Sequence, residues 1–172
     1  MPPLALVLGG ASSGKSRFAE DLCFQDGSPR IYIATAQAFD DEMREKIARH
    51  KTQRGPDWHT IEALIDVASA LASCTAGQIV LLDCATLWLT NVVLAEQDVM
   101  AAEDALLAAL VACPARVVVV SNEVGQGIVP ETKLGRAFRN QQGRLNQKLA
   151  AQAGLVVHVI VGLPQVLKGD LP

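Results

Sequence analysis

Leu4-Ala5-Leu6-Val7-Leu8-Gly9-Gly10-Ala11-Ser12-Ser13-Gly14-Lys15-Ser16 decides the fold. A short continuous apolar run ends at two glycines, which reads as a buried strand entering a tight loop. The loop meets the pattern GxxxxGK[ST] from Gly9 to Ser16, and a helix is expected from Lys15 to Leu22. This arrangement suits phosphate. Glycines let backbone amides turn inward and approach phosphate oxygens closely, and a helix N-terminus adds partial positive charge. Lys15 then reaches the β- and γ-phosphates, and the Ser16 hydroxyl ligates Mg²⁺. The stretch predicts a nucleoside triphosphate site.

Outward from the loop, apolar runs alternate with helical stretches. Ile31-Tyr32-Ile33-Ala34, Ile79-Val80-Leu81-Leu82-Asp83, Val117 to Val120 and Val156 to Val161 read as further buried strands, the last closing the series. Trp58 to Ile61 suits a short edge strand. Helices are expected from Asp40 to about Gln53, where acids occupy the first turn as the macrodipole prefers. Others are expected over Ile65 to Ala72, Thr86 to Ala95, Ala101 to Ala112 and Lys133 to Ala153. In the long last helix, Leu134, Phe138, Leu145 and Leu149 share one face. Strand–helix alternation of this kind implies parallel βαβ units. The expected class is α/β: a three-layer P-loop NTPase domain, with a mostly parallel sheet and helices on both faces.

The chain has 172 residues, which fits a single domain spanning 1–172. Half the residues are hydrophobic and only 4% are aromatic, so the core must be aliphatic. A net charge of −3 with no basic stripe argues against nucleic acid as a partner. The cysteines, Cys23, Cys74, Cys84 and Cys113, form no CxxC pair and read as buried small hydrophobes. No signal peptide opens the sequence, and no apolar stretch approaches the ~18 residues of a membrane span. A soluble cytoplasmic protein is the expectation.

The Mg²⁺ needs a second protein anchor. Asp83, at the end of a purely aliphatic strand, fits that role; an Asp capping the next helix is the alternative. A Ras-type GTPase would carry Asn-Lys-x-Asp after a late strand. Ser121-Asn122-Glu123-Val124 stands there instead. The loop alone leaves kinases, ATPases and motors open, with a small-molecule kinase the best generic choice. Asn122 and Glu123 lie at a strand's carboxyl end, where ligands bind in such sheets. Within the Asp40 helix, Met43, Ile47 and His50 share a face, with Arg49, Lys51 and Arg54 close by in sequence. Spacing allows either a packed histidine or an imidazole beside phosphate, able to act as nucleophile or general base.

Several blocks together resemble one family. They are the phosphate loop, Tyr32-Ile33-Ala34-Thr35-Ala36, Asp40-Asp41-Glu42-Met43, Ile47-Ala48-Arg49-His50-Lys51 and Trp58-His59-Thr60-Ile61-Glu62. The most specific is Ser121-Asn122-Glu123-Val124-Gly125-Gln126-Gly127-Ile128-Val129-Pro130, continuing through Arg136-Ala137-Phe138-Arg139 and Gly143-Arg144-Leu145-Asn146-Gln147. Over nearly its whole length the chain resembles the bifunctional adenosylcobinamide kinase / adenosylcobinamide-phosphate guanylyltransferase family of cobalamin biosynthesis.

The resemblance implies a RecA-like fold and two reactions. ATP or GTP phosphorylates adenosylcobinamide, a corrinoid. GMP then passes from GTP to that phosphate through a guanylyl-histidine, giving adenosylcobinamide-GDP. It implies His50 as the nucleophile, with Lys15 also catalytic. It places nucleotide contacts on Gly9 to Ser16, Ala34, Thr35, Ala36, Lys51, Thr52, Gln53, Arg54, Glu62 and Asp83. By family analogy the protein is a homo-oligomer, a trimer. The chain departs from the family at three points: Ser12 where Arg is frequent, Arg49 where some members carry a second histidine, and Asp83 where Glu is common.

Overall fold

In the computed structural model, residues 1–37 and 57–172 are described. The helix expected from Asp40 to Gln53 falls outside them. Among the described residues, twelve elements follow one another. They are β1 (Leu4–Gly9), α1 (Lys15–Asp26), β2 (Arg30–Ala34), β3 (Trp58–Glu62), α2 (Val67–Ala72) and β4 (Ile79–Asp83). Then come α3 (Ala85–Leu94), α4 (Val99–Ala112), β5 (Arg116–Asn122), α5 (Lys133–Gln152), β6 (Leu155–Ile160) and β7 (Leu163–Lys168).

The strands form one seven-stranded sheet in the order β3-β2-β4-β5-β1-β6-β7. Every pairing is parallel except β6 with β7. Alternation along each strand splits the core in two. Leu4 and Leu6 of β1 join Val80, Leu82, Val117 and Val119 under α2, α3, α4 and α5. Ala5 and Val7 join Leu81, Val118 and Val120 under α1. The central residues Val117, Val118, Val119 and Val120 are fully buried. Each contributes on the order of 1.5 kcal/mol or more of transfer free energy. The three-layer α/β class follows from strands that are apolar on both faces.

Element ends have local causes. Gly27, in the left-handed region at φ 76°, ends α1 four residues beyond Leu22. Asp66 caps α2 by accepting from Ser69 N, so the helix starts after Ile65. The hydrogen bond holds the Asp66 carboxyl below its usual range. Thr132 caps α5 by accepting from Gly135 N at 3.1 Å. Trp58 begins β3, which forms one edge of the sheet as expected.

One expectation needs correction. The series of strands does not end at Val161, because β7 turns back antiparallel on β6. Val161 at φ 48° and Gly162 at φ 81° make the turn. All six residues of β7 are exposed, so no buried alternation marks it. Its Pro164 reads as a breaker but is tolerated on an edge strand.

Candidate active site

The carboxyl ends of β4, β5 and β1 lie side by side. Gly9 sits opposite Asn122, and Asp83 opposite Val120. The loop from Gly10 to Gly14 leaves β1 here and enters α1. Gly14, the N-cap residue of α1, is left-handed at φ 91° and has no side chain with which to cap the helix. A helix N-terminus with glycine at the cap position is the arrangement that suits an anion. Ser13 N donates to Gly10 O at 3.3 Å, and Lys15 Nζ folds back to donate to the same carbonyl at 3.0 Å.

The loop is tightly buttressed. A Cβ on Gly9 would collide with Ser13 Oγ, and would lie 2.8 Å from Val159 O. Gly162, in the β6–β7 turn, donates its N–H to Ser13 O at 2.8 Å. Its Cα would stand 3.2 Å from a Cβ on Gly14. The last hairpin thus holds the loop's carbonyl outward from behind, which favours amides pointing inward.

Asp83 ends β4. It does not cap α3: Cys84 does, its Sγ accepting from Leu87 N. The Asp83 Oδ2 instead accepts from the Tyr32 hydroxyl at 3.0 Å. Backbone at this point is clamped by Thr35, whose Oγ1 donates to Cys84 O at 2.8 Å and accepts from Cys84 N at 2.7 Å. Thr35 N donates to Asp83 O, and Thr35 O accepts from Asn91 Nδ2. Every polar group of this fully buried threonine is thus engaged inside the protein. Burial and the neighbouring Asp83 push the Cys84 thiol up to about 12.

A second polar knot fixes the end of β5. Asn122 N donates to Thr86 Oγ1 at 2.8 Å, and Asn122 O accepts from Asn146 Nδ2 at 3.1 Å. Ser121 Oγ donates to Asn146 Oδ1 at 2.6 Å and accepts from Gln142 Nε2 at 2.9 Å. The knot joins α3, β5 and α5. Glu123 N in turn donates to Gly9 O at 3.0 Å, tying the β5 end to the start of the phosphate loop.

The residues expected from Gly9 to Ser16 thus lie together, with Asp83 two strands away. Glu62, Ala34 and Asp83 share one row across the ends of β3, β2 and β4. His50, Lys51, Thr52, Gln53 and Arg54 lie outside the described residues. Sequence reasoning missed Tyr32, Gln142 and Asn146 as positioning groups. A signal existed for each. Tyr32 is the sole tyrosine of the chain, set in an aliphatic strand. Gln142 and Asn146 interrupt the face that carries Leu145 and Leu149.

Among the described residues, no three His, Cys, Asp or Glu side chains gather to hold a metal. Mg²⁺ needs no such cluster: it usually keeps several waters and takes one or two protein oxygens plus substrate phosphates, donors of the kind that Ser16 and Asp83 carry. Among the described residues, no helix is long and apolar enough to cross a membrane.

Comparisons with known proteins bear on the family and the fold. The family model described as cobinamide kinase / cobinamide phosphate guanyltransferase matches residues 5–167. A bifunctional adenosylcobalamin biosynthesis protein CobP of Pseudomonas aeruginosa is 44% identical, with 96% of this chain and 97% of that protein covered. The Escherichia coli protein CobU, with the same bifunctional description, is 41% identical over 96% of this chain and 99% of its own. Among solved structures, the RadB recombinase matches with a TM-score of 0.51 at 15% identity, covering 90% of this chain and 73% of that one. That likeness concerns the fold alone, which is RecA-like. The chain belongs to the cobinamide kinase / cobinamide phosphate guanyltransferase family.

Proposed function

We propose that this chain is a bifunctional enzyme of cobalamin biosynthesis. It phosphorylates adenosylcobinamide with ATP or GTP, then transfers GMP from GTP to adenosylcobinamide phosphate. The observation that carries the reading is the family match over residues 5–167, together with a phosphate loop that enters α1 through a left-handed glycine.

The loop grips the β- and γ-phosphates in both reactions. In the kinase step the cobinamide hydroxyl oxygen attacks the γ-phosphorus. The bond to the β–γ bridging oxygen breaks, the nucleoside diphosphate leaves, and the hydroxyl proton is released. Lys15 and the loop amides stabilise charge on the transferring group. In the guanylyl step a neutral His50 nitrogen attacks the α-phosphorus, and pyrophosphate leaves in the grip of the loop. A phosphate oxygen of the acceptor then attacks the same phosphorus. The P–N bond breaks, and its electron pair returns to the imidazole.

Ser16 and Asp83 would hold Mg²⁺, which when bound neutralises charge on the phosphates. Tyr32 orients the Asp83 carboxylate, and Thr35 fixes the backbone beneath it. Glu62, Ala34 and Ala36 lie where the nucleoside end would extend, with Lys51 to Arg54 completing the site. By family analogy three copies assemble, and the enzyme works in the cytoplasm.

The test uses GTP labelled at the α-phosphate. After denaturation, the wild-type chain should carry an acid-labile, alkali-stable label that His50→Ala lacks. Active, Mg²⁺-supplied protein that never labels would remove the guanylyltransferase half of the reading.

A further inference from the structure

On α5, Arg139, Asn140, Gly143, Arg144 and Gln147 line an open cavity of about 580 Å³ whose other wall is Glu123 and Gly125. The cavity stands at the carboxyl end of β5. It begins where the phosphate loop begins, because Glu123 N donates to Gly9 O. The opposite face of the helix, with Gln142, Leu145, Asn146 and Leu149, is buried in the domain.

Two features of the polar face have no cause among the described residues. The first is Gly143. A glycine inside a helix costs roughly 0.5–1 kcal/mol relative to alanine. Its φ is not in the left-handed region, and a Cβ there would meet no atom within 4 Å. Neither backbone geometry nor packing against the described residues calls for glycine, yet the space above it is kept clear. The second is Arg144, which makes no hydrogen bond or ion pair among the described residues. Its neighbours differ. Arg139 donates to Gly125 O and Gly127 O, and Arg136 to Pro130 O and Glu131 O. Those two arginines shape the loop after β5; Arg144 is left over.

We propose that this cavity receives the acceptor, with Arg144 taking the phosphate monoester that the first reaction makes and the second consumes. The proposal rests on the function proposed above. A guanidinium presents a planar fork that matches phosphate in two parallel bonds. Glu123, across the cavity, suits the unphosphorylated form, because a carboxylate accepts from a hydroxyl. Gly143 leaves room for the bulk of an acceptor larger than the cavity itself. Position agrees with use: the acceptor must reach the γ-phosphorus first and the α-phosphorus later, and both lie along the nucleotide that the adjoining loop grips.

The test separates the half-reactions. Enzyme is loaded with labelled GMP from GTP, freed of nucleotide, then chased with a concentration series of adenosylcobinamide phosphate. Arg144→Gln should load as the wild type does, while its half-saturating acceptor concentration rises roughly tenfold or more. Arg144→Lys should recover part of the loss. Gly143→Phe, which projects into the cavity, should raise that concentration as well. Gly143→Ala should lift the unfolding midpoint by roughly 2 °C, since nothing in the fold requires the glycine. Chase curves for Arg144→Gln and Gly143→Phe that overlay the wild type would overturn the proposal. So would a loss of assembly mass by light scattering in both variants with acceptor dependence unchanged, which would make this face a contact between copies. Failure of the wild type itself to load overturns the proposed function, and the acceptor site with it.

Discussion

Thr35→Val removes one hydroxyl and keeps the shape of the side chain. Thr35 Oγ1 makes two bonds to the backbone of Cys84, at 2.8 and 2.7 Å. The two losses are unequal. The Cys84 carbonyl also accepts from Trp88 N, so it retains a partner. Cys84 N would be left without one in a fully buried setting, at about 1–3 kcal/mol. Adding about 1 kcal/mol for the other bond gives a total of about 2–4 kcal/mol. For a domain of this size each kcal/mol shifts the midpoint by roughly 2–4 °C, so the fall should be roughly 4–16 °C. Thr35→Ser keeps the hydroxyl and loses one buried methyl, at about 1 kcal/mol. Thermal and urea unfolding of both variants should therefore rank wild type, serine, valine. Nucleotide binding at limiting Mg²⁺ should follow the same order, because the clamp sets the turn that carries Asp83. A valine variant as stable as the serine one would refute the reasoning, and would assign Thr35 to direct ligand contact instead.

Further outcomes follow from other sites. Lys15→Ala should abolish measurable phosphoryl and guanylyl transfer while leaving the unfolding midpoint within a few degrees; unchanged GTP turnover would contradict the role given to the loop. Thr132→Ala should cost about 1 kcal/mol through loss of the α5 cap, read by urea unfolding. Alkylation of Cys84 in the folded enzyme should stay negligible at pH 8, since burial pushes the thiol up to about 12 and keeps the reactive thiolate scarce. Mass spectrometry after a timed iodoacetamide pulse would show labelling only once the chain is unfolded. Tyr32→Phe keeps the ring against Trp58 but frees the Asp83 carboxylate, so the Mg²⁺ concentration for half-maximal GTP binding should rise with little change in midpoint. A midpoint that falls with no shift in Mg²⁺ dependence would mean the hydroxyl serves the fold alone.

The phosphate loop and the inner strands were legible because local chemistry dictates them. Five aliphatic residues before two glycines leave few alternatives, and four consecutive valines must be buried on both faces. Sheet order was not legible. Strands of nearly the same composition can pair in many orders, and the bond from Tyr32 to Asp83 spans 51 positions. The β7 strand escaped because exposure erases alternation and Pro164 mimics a stop. Asp83 drew two readings from sequence, a cap or a metal ligand. The structure gives the cap to Cys84, a residue that composition had marked only as a small hydrophobe. Thr35, a nucleotide position by family resemblance, turns its side chain inward to the Cys84 backbone, a clamp that no local pattern announces.

The bond from Gly162 N to Ser13 O has a consequence for biosynthesis of the protein. The phosphate loop is translated first, yet β1 lies between β5 and β6, and the turn that braces the loop follows both. A nascent chain emerging from the ribosome carries Gly9 to Ser16 long before their supports exist. The braced form of the loop is therefore a late event in synthesis, complete only once the last hairpin has closed.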